Sequence, residues 1–169
     1  MKHPLVAVHP LLDTDIERAL ALVLRSFDEF VAPDYEQAGV DAFHAFATPD
    51  ALRARIADGA IVRVGIVDRE IVGVVEFTAN AGKPAHLTML FVDTTYQRKT
   101  AGRSLLFHAI DTCKQRDPAP LRMTVDSPPV AVPFYEKHFF QPSGEPTNAN
   151  GIVTTPMDIV LENVAVWLN

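Results

Sequence analysis

The sequence predicts an α/β protein, and three observations predict it. Runs of strand length rich in β-branched residues alternate with segments whose apolar residues recur at helical spacing. Pro-, Gly- and Asp-containing breakers separate these segments. The chain has 169 residues, 48% of them hydrophobic, which suits one domain over residues 1–169 built on one core.

The elements follow in order. Residues 5–9 read as a first strand. Asp13 or Thr14 suits the cap of a helix running to about Phe30, with Ile16, Ala19, Leu20, Val23, Leu24 and Phe27 at helical spacing. Pro33 interrupts it. Residues 40–47 and 49–57 read as two short helices, Pro49 suiting a first turn. Residues 60–67 and 70–78 are β-branched and flank Asp68-Arg69, a tight hairpin turn. Residues 85–92 make the next strand and 101–116 a helix, ended by Asp117-Pro118. Residues 121–126 form a strand and 130–138 a helix with Pro133 in its first turn. Phe140 and then residues 152–161 supply the last strands. No internal repeat or low-complexity linker interrupts this order.

Composition narrows the function. With 15 basic and 21 acidic residues the net charge is −6, which argues against a general nucleic-acid role. An acidic surface favours a cationic partner such as an amine. No apolar run reaches the ~20 residues needed to cross a bilayer, so no membrane role is expected. The N-terminal residues lack a signal-peptide core and cleavage site. Cys113 is the only cysteine, so no internal disulfide can form. These features point to the cytoplasm. No Cys/His/Asp set has metal-ligand spacing, so no metal is expected.

The most informative stretch is residues 87–106, LTMLFVDTTYQRKTAGRSLL. An apolar strand ends at Val92, a polar turn holds Gln97, Arg98, Lys99, Thr100, Ala101 and Gly102, and an amphipathic helix opens near Ala101. Free N–H groups and the helix dipole make such a helix start a phosphate site. Cations are unfavourable there unless an anion is present, so Arg98 and Lys99 themselves favour one.

This stretch resembles motif A of the GNAT superfamily of acyl-CoA-dependent N-acetyltransferases, Gln/Arg-x-x-Gly-x-Gly/Ala after a strand. Gln97 and Gly102 match its outer positions; Thr100 stands where the family usually has its first glycine. Residues 130–140, VAVPFYEKHFF, resemble the family's later helix, which usually ends Phe-Tyr-Glu-Lys-x-Gly-Phe. Phe134, Tyr135, Glu136, Lys137 and Phe139 or Phe140 echo it, and His138 and Phe139 occupy the neighbourhood of the missing glycine. The two motifs stand in the family's order. The element order is also that of the family's fold, an α/β sandwich with a mixed, mostly antiparallel sheet flanked by helices.

The resemblance implies transfer of an acetyl group from acetyl-CoA directly to an amine of a small molecule or peptide. Gln97, Arg98, Lys99, Thr100, Ala101, Gly102, Arg103 and Ser104 would hold the pyrophosphate. The strand end at Leu90, Phe91 and Val92 would hold the pantetheine arm, since this strand carries a bulge and splays from its neighbour in the family. Thr100 divides two cases: if the turn needs only close approach it costs little, but a β-branched residue resists positive φ. Tyr135 would be the acid that protonates the leaving thiolate.

Glu76 is the first choice for the base. It follows Val72 and Val74 on one strand face, and burial would raise its pKa toward a useful value. His86 is second, and Asp126, where the family often has Asn, would orient cofactor and helix or serve as a base. Phe27, Phe30, Tyr35 and Phe43 could cradle the acceptor amine, with Phe27 and Phe43 equally readable as core. The alternative function is a non-catalytic acyl-CoA-binding or protein-interaction module on the same fold. The apolar tail ending in Trp167 either packs on the core or makes a homodimer contact.

Overall fold

The computed structural model describes residues 5–97 and 100–167, with the backbone alone for residues 165–167. Arg98, Lys99 and the Trp167 side chain, to which roles were assigned above, lie outside the described residues.

Eight strands form the sheet: β1 Ala7–Pro10, β2 Ile61–Val67, β3 Glu70–Thr78, β4 Ala85–Val92, β5 Arg122–Ser127, β6 Gln141–Pro142, β7 Thr147–Ala149 and β8 Ile152–Val160. Their order is β1-β2-β3-β4-β5-β8-β6, with β7 pairing β8 outside this path. Every pairing is antiparallel except β4 with β5. A parallel pair needs a crossover, and helix α4 (Ala101–Lys114) supplies it. The expected mixed, mostly antiparallel sheet is thus present. Among the described residues no helix is long and apolar enough to cross a membrane.

Helices cover both faces. On one face α1 (Ile16–Ser26) lays Ile16, Ala19, Leu20, Leu22 and Val23 on Val62, Val64, Val74 and Met89. On the other, α4 buries Leu105, Leu106, Ala109, Ile110 and Cys113 against Phe77, Leu87, Met123 and Val125. The helical spacing of these residues is what makes each helix amphipathic.

Local departures from expectation have physical causes. Neither Asp13 nor Thr14 caps α1: the Asp13 carboxylate instead accepts from Arg53 at 2.8 Å, and α1 starts after Asp15 without a side-chain cap. The first helix also ends at Ser26. A wide π turn, Phe27–Val31, and a 3-10 turn, Ala32–Asp34, carry the chain to α2 (Gln37–Phe46). Helix α2 begins earlier than expected because Gly39 lets it press on the β7–β8 turn. A Cβ at Gly39 would collide with the Gly151 carbonyl, and Glu36 donates its N–H to that carbonyl at 3.0 Å. The Asn150-Gly151 turn, both residues at positive φ, is a hairpin signal that marks the unexpected strand β7. Phe140 lies just before β6 rather than in a strand. Helix α3 (Pro49–Ala57) is as expected, with Thr48 capping the Ala51 N–H at 3.3 Å, and Asp68-Arg69 forms the β2–β3 turn at positive φ.

Candidate active site

Strand β4 pairs with β5 only at Ala85, His86 and Leu87, opposite Met123, Thr124 and Val125. Beyond Leu87 the two strands part. On its other edge β4 stays paired with β3 to its end, Leu90 opposite Val75, Phe91 opposite Val74 and Val92 opposite Gly73. Thr88 is the extra residue of a bulge, since Glu76 pairs with Met89 and Phe77 with Leu87. A bulge bends its strand and breaks the ladder locally, so Leu90, Phe91 and Val92, all half-buried, present a strand edge unpaired toward β5. Such an edge can pair with a ligand's amides.

Helix α4 opens beside this gap. Ser104 N–H makes the first helical bond, to the Thr100 carbonyl at 2.9 Å, so the amides of Ala101, Gly102 and Arg103 precede the ladder. Thr100 holds φ 69° and ψ −14°, the left-handed region; of the two cases the sequence left open, the strained one holds. Gly102 is favoured by close approach, not by φ. A Cβ there would stand 3.2 Å from the Phe134 ring. The Gln97 side chain turns back and donates to the Val92 carbonyl at 3.1 Å, which also accepts from the Ser26 hydroxyl at 3.3 Å. Arg103 is exposed, its guanidinium 5.0 Å from the Phe107 ring centroid.

Helix α5 (Val132–Lys137) carries Tyr135, which is 4% exposed and packs edge-on against Phe134 and Phe140. Burial alone pushes its phenol above the ordinary tyrosine range, so the group stays protonated at physiological pH. Next to it, His138 Nδ1 donates to the Phe134 carbonyl at 2.8 Å. Burial lowers the His138 pKa, partly countered by that bond, and Arg103 and Lys137 lower it further.

The carboxylates separate into two kinds. Glu76 is 1% exposed, and Arg55 grips it bidentately at 2.7 and 3.2 Å. The same guanidinium donates to the Phe46 carbonyl at 2.7 Å and lies 3.5 Å from the Phe46 ring centroid. A general base needs a lone pair facing its substrate. The burial expected of Glu76 is present, but the base role expected with it meets a guanidinium on both oxygens. Asp126 is exposed, one residue past the last β4–β5 pair. Its charge reaches Tyr35, whose phenol is raised first by burial and then by Asp126. His86 sits at the closed end of the gap, Nδ1 2.8 Å from the Thr124 hydroxyl.

Aromatic rings bridge from β4 to the helices. Phe91 meets Phe43 at 5.7 Å, Phe43 stacks on Phe27 at 3.9 Å, and Tyr35 sets its edge on Phe27 at 5.6 Å. Phe27 is 1% exposed, so its expected contact with an acceptor is corrected to a core role: its neighbours leave the ring no open face. Tyr35, Phe30 and Phe43 are half-buried and retain accessible surface. Sequence reasoning missed Arg55 and the Asp28–His44 pair, Oδ1 to Nε2 2.7 Å. Neither lies in a motif, and only folding brings each partner to the other.

Among the solved structures that resemble this fold is the GCN5-related N-acetyltransferase of Rhodopseudomonas palustris, at 21% identity and TM-score 0.78, covering 95% of this chain and 98% of that one. The PaiA N-acetyltransferase of Thermoplasma acidophilum, solved in complex with coenzyme A, aligns at 18% identity and TM-score 0.75 over 92% and 99% of the two chains. An aminoglycoside 6′-N-acetyltransferase complexed with coenzyme A aligns at 13% identity and TM-score 0.70 over 92% and 97%. No curated protein matches the sequence. The family model described as acetyltransferase (GNAT) domain matches residues 31–161. With a family match over most of its length and the parted strands that its two motifs flank, this chain belongs to the GNAT acetyltransferases.

Proposed function

We propose that the protein is an acetyl-CoA-dependent N-acetyltransferase that passes the acetyl group directly to an amine of a small molecule or peptide. The observation that carries this reading is the parting of β4 from β5 beside the start of α4. It leaves a strand edge for the pantetheine amides and helix amides for the pyrophosphate. Coenzyme A in the structures of the PaiA and aminoglycoside enzymes supports the cofactor, and the latter's name supports a small-molecule acceptor.

Bound acetyl-CoA would supply the thioester acyl group. Leu90, Phe91 and Val92 would hold the pantetheine arm through their backbone. The amides of Ala101, Gly102, Arg103 and Ser104 would hold the pyrophosphate, with Thr100 shaping the turn and Gln97 fixing it to Val92. Arg98 and Lys99 add charge to this turn. Half-buried Tyr35 and Phe30 would meet the acceptor. Asp126, an exposed residue, would collect the proton of the acceptor ammonium in place of Glu76, whose oxygens Arg55 occupies. Tyr135 would donate a proton to the thiolate that leaves as the acyl group passes from the thioester to the amine nitrogen.

Isothermal titration of the purified protein with acetyl-CoA and with CoA, followed by a panel of amines, tests the reading. Micromolar binding and turnover on one amine class are expected. Binding without turnover on any amine would favour the non-catalytic module. No binding at millimolar cofactor would overturn the enzyme reading.

A further inference from the structure

A second recess lies at the start of β2, toward the other end of α4. It is open to solvent, with a volume of about 200 Å³, and is lined by Leu11, Ile56, Ile61 and Val62 with the guanidinium-bearing Arg63 and Arg116. Helix α4 is 14 residues long, so about 21 Å separates this recess from the cofactor turn.

Two like charges facing one small recess are unfavourable unless something negative joins them. Arg18, Arg25, Arg53, Arg55 and Arg122 each meet a carboxylate, at 2.7 to 3.6 Å. Among the described residues Arg63 and Arg116, like Arg69 and Arg103, meet none, although acidic residues outnumber basic ones 21 to 15 in the chain; Arg63 and Arg116 are the two that line one recess. Arg63 places one donor on the Val62 carbonyl, at 3.1 Å; a guanidinium has five. Its charged form is disfavoured by burial first and by Arg116 second, and Arg63 in turn disfavours the charged form of His108 after burial has done so. Asp111 acts on His108 in the opposite sense. The negative end of α4 is worth about half a charge, enough to favour one cation near its last turn but not two.

We propose that Arg63 and Arg116 form a binding site for a small organic carboxylate, separate from the cofactor site. Two guanidinium forks match the planar, bidentate carboxylate. Leu11, Ile56 and Ile61 offer a hydrocarbon tail an apolar wall. The volume falls below the ~300–1,000 Å³ of ordinary ligand pockets, which suits a short-chain acid and excludes a nucleotide.

The test uses the full chain, titrated with sodium butyrate and, separately, with inorganic phosphate, followed by methyl and amide NMR shifts. Saturable butyrate binding with Kd on the order of 1 mM is expected, with the largest shifts at Leu11, Ile56 and Ile61. Arg116→Gln, at an exposed position after the helix, should weaken it about tenfold or more while leaving the spectrum folded. Arg63→Gln should do the same, and acetyl-CoA should not compete. Absence of saturation, binding unchanged in Arg116→Gln, or phosphate binding tighter than butyrate would each overturn the proposal. None of these outcomes depends on acetyltransferase activity.

Discussion

Thr100 and Phe139 both hold a positive φ, 69° at the first and 71° at the second. Helix α4 opens on one and α5 closes on the other, and both stand where the family pattern has or borders a glycine. Phe139 is the left-handed residue of a Schellman ending. Its N–H donates to the Glu136 carbonyl at 3.0 Å, the Phe140 N–H to the Tyr135 carbonyl at 3.0 Å, and the Phe140 and Tyr135 rings meet at 5.4 Å. Neither threonine nor phenylalanine prefers this geometry. The surrounding turns therefore impose it, and the chain carries the strain at the start of α4 and the end of α5.

Replacing Thr100 with Gly should relieve that strain. Left-handed geometry costs a non-glycine residue about 1–2 kcal/mol, and the greater freedom of unfolded glycine returns roughly 0.5–1 kcal/mol of it. Thr100 is exposed and caps nothing with its side chain. A net gain near 0.5–1 kcal/mol should raise Tm by about 1–4 °C, measured by calorimetry. A lower Tm in Thr100→Gly would show that the hydroxyl, not the backbone, matters there.

At Phe139 the informative comparison is between two truncations. Both Phe139→Ala and Phe139→Gly remove a ring that is 54% exposed, but only glycine also removes the strain. Glycine should therefore be the more stable variant by about 0.5–1 kcal/mol net of its greater unfolded freedom, the reverse of the usual order within a helix. Denaturant titration of the pair measures this. Equal midpoints would mean that the turn relaxes when the ring is gone.

Legibility followed the range of each interaction. The elements at residues 61–92 and 101–114 were readable because β-branched runs and helical spacing act locally. The turn before α4 was readable as a family motif because its residues are contiguous in the chain. The Thr100 conformation was readable only as two alternatives, because φ depends on the turn as a whole. Glu76 was legible as buried but not as paired, since Arg55 lies 21 positions away on α3. Strand β7 was missed although Asn150-Gly151 signals a hairpin, because its three residues are all exposed and carry no apolar alternation.

The Arg55–Glu76 pair predicts a stability effect where a base would predict a kinetic one. Arg55→Ala leaves a carboxylate buried without its partner, which costs about 3–5 kcal/mol. Arg55→Met combined with Glu76→Leu should recover most of that loss, because apolar pairs of similar volume replace buried ion pairs well. Glu76→Gln should lower the denaturation midpoint yet leave kcat of the folded enzyme within about threefold, well inside the 10²–10⁴ expected of a lost base. A loss of about 10²-fold with the midpoint unchanged would restore Glu76 as the base.

Cys113 predicts a loss of stability in alkali. Burial pushes its thiol up to about 11 from an ordinary 9.0. The folded pKa is the higher, so the contribution is whole below pH 9 and declines as pH rises toward the folded value. The decline should be about 1.4 kcal/mol per pH unit between the two. Cys113→Ala should flatten the stability curve over that window, measured by urea titration at pH 8, 9 and 10. In the native protein at pH 8 the thiol should resist alkylation, since the thiolate is the nucleophile. Labelling as fast as in urea would show that the side chain is open to solvent.

Tyr135 and Asp126 should fail in different ways. Tyr135→Phe removes a hydroxyl from a ring that is 4% exposed and packed on Phe134 and Phe140. The ring contacts remain, so CoA affinity should hold within about twofold while turnover falls about 10²-fold. Because burial raises this phenol, turnover by the native enzyme should show no fall from tyrosine ionisation up to the ordinary value near pH 10. Asp126→Asn should also leave CoA affinity in place, but it removes the proposed proton acceptor rather than the proposed donor. Its turnover should recover as pH rises and the acceptor amine loses its own proton, whereas that of Tyr135→Phe should not. Stopped-time assays of both variants from pH 6 to about 10 separate the roles. Recovery of Tyr135→Phe in alkali would remove Tyr135 from the departure step, and an Asp126→Asn profile parallel to the native one would return the proton to another acceptor.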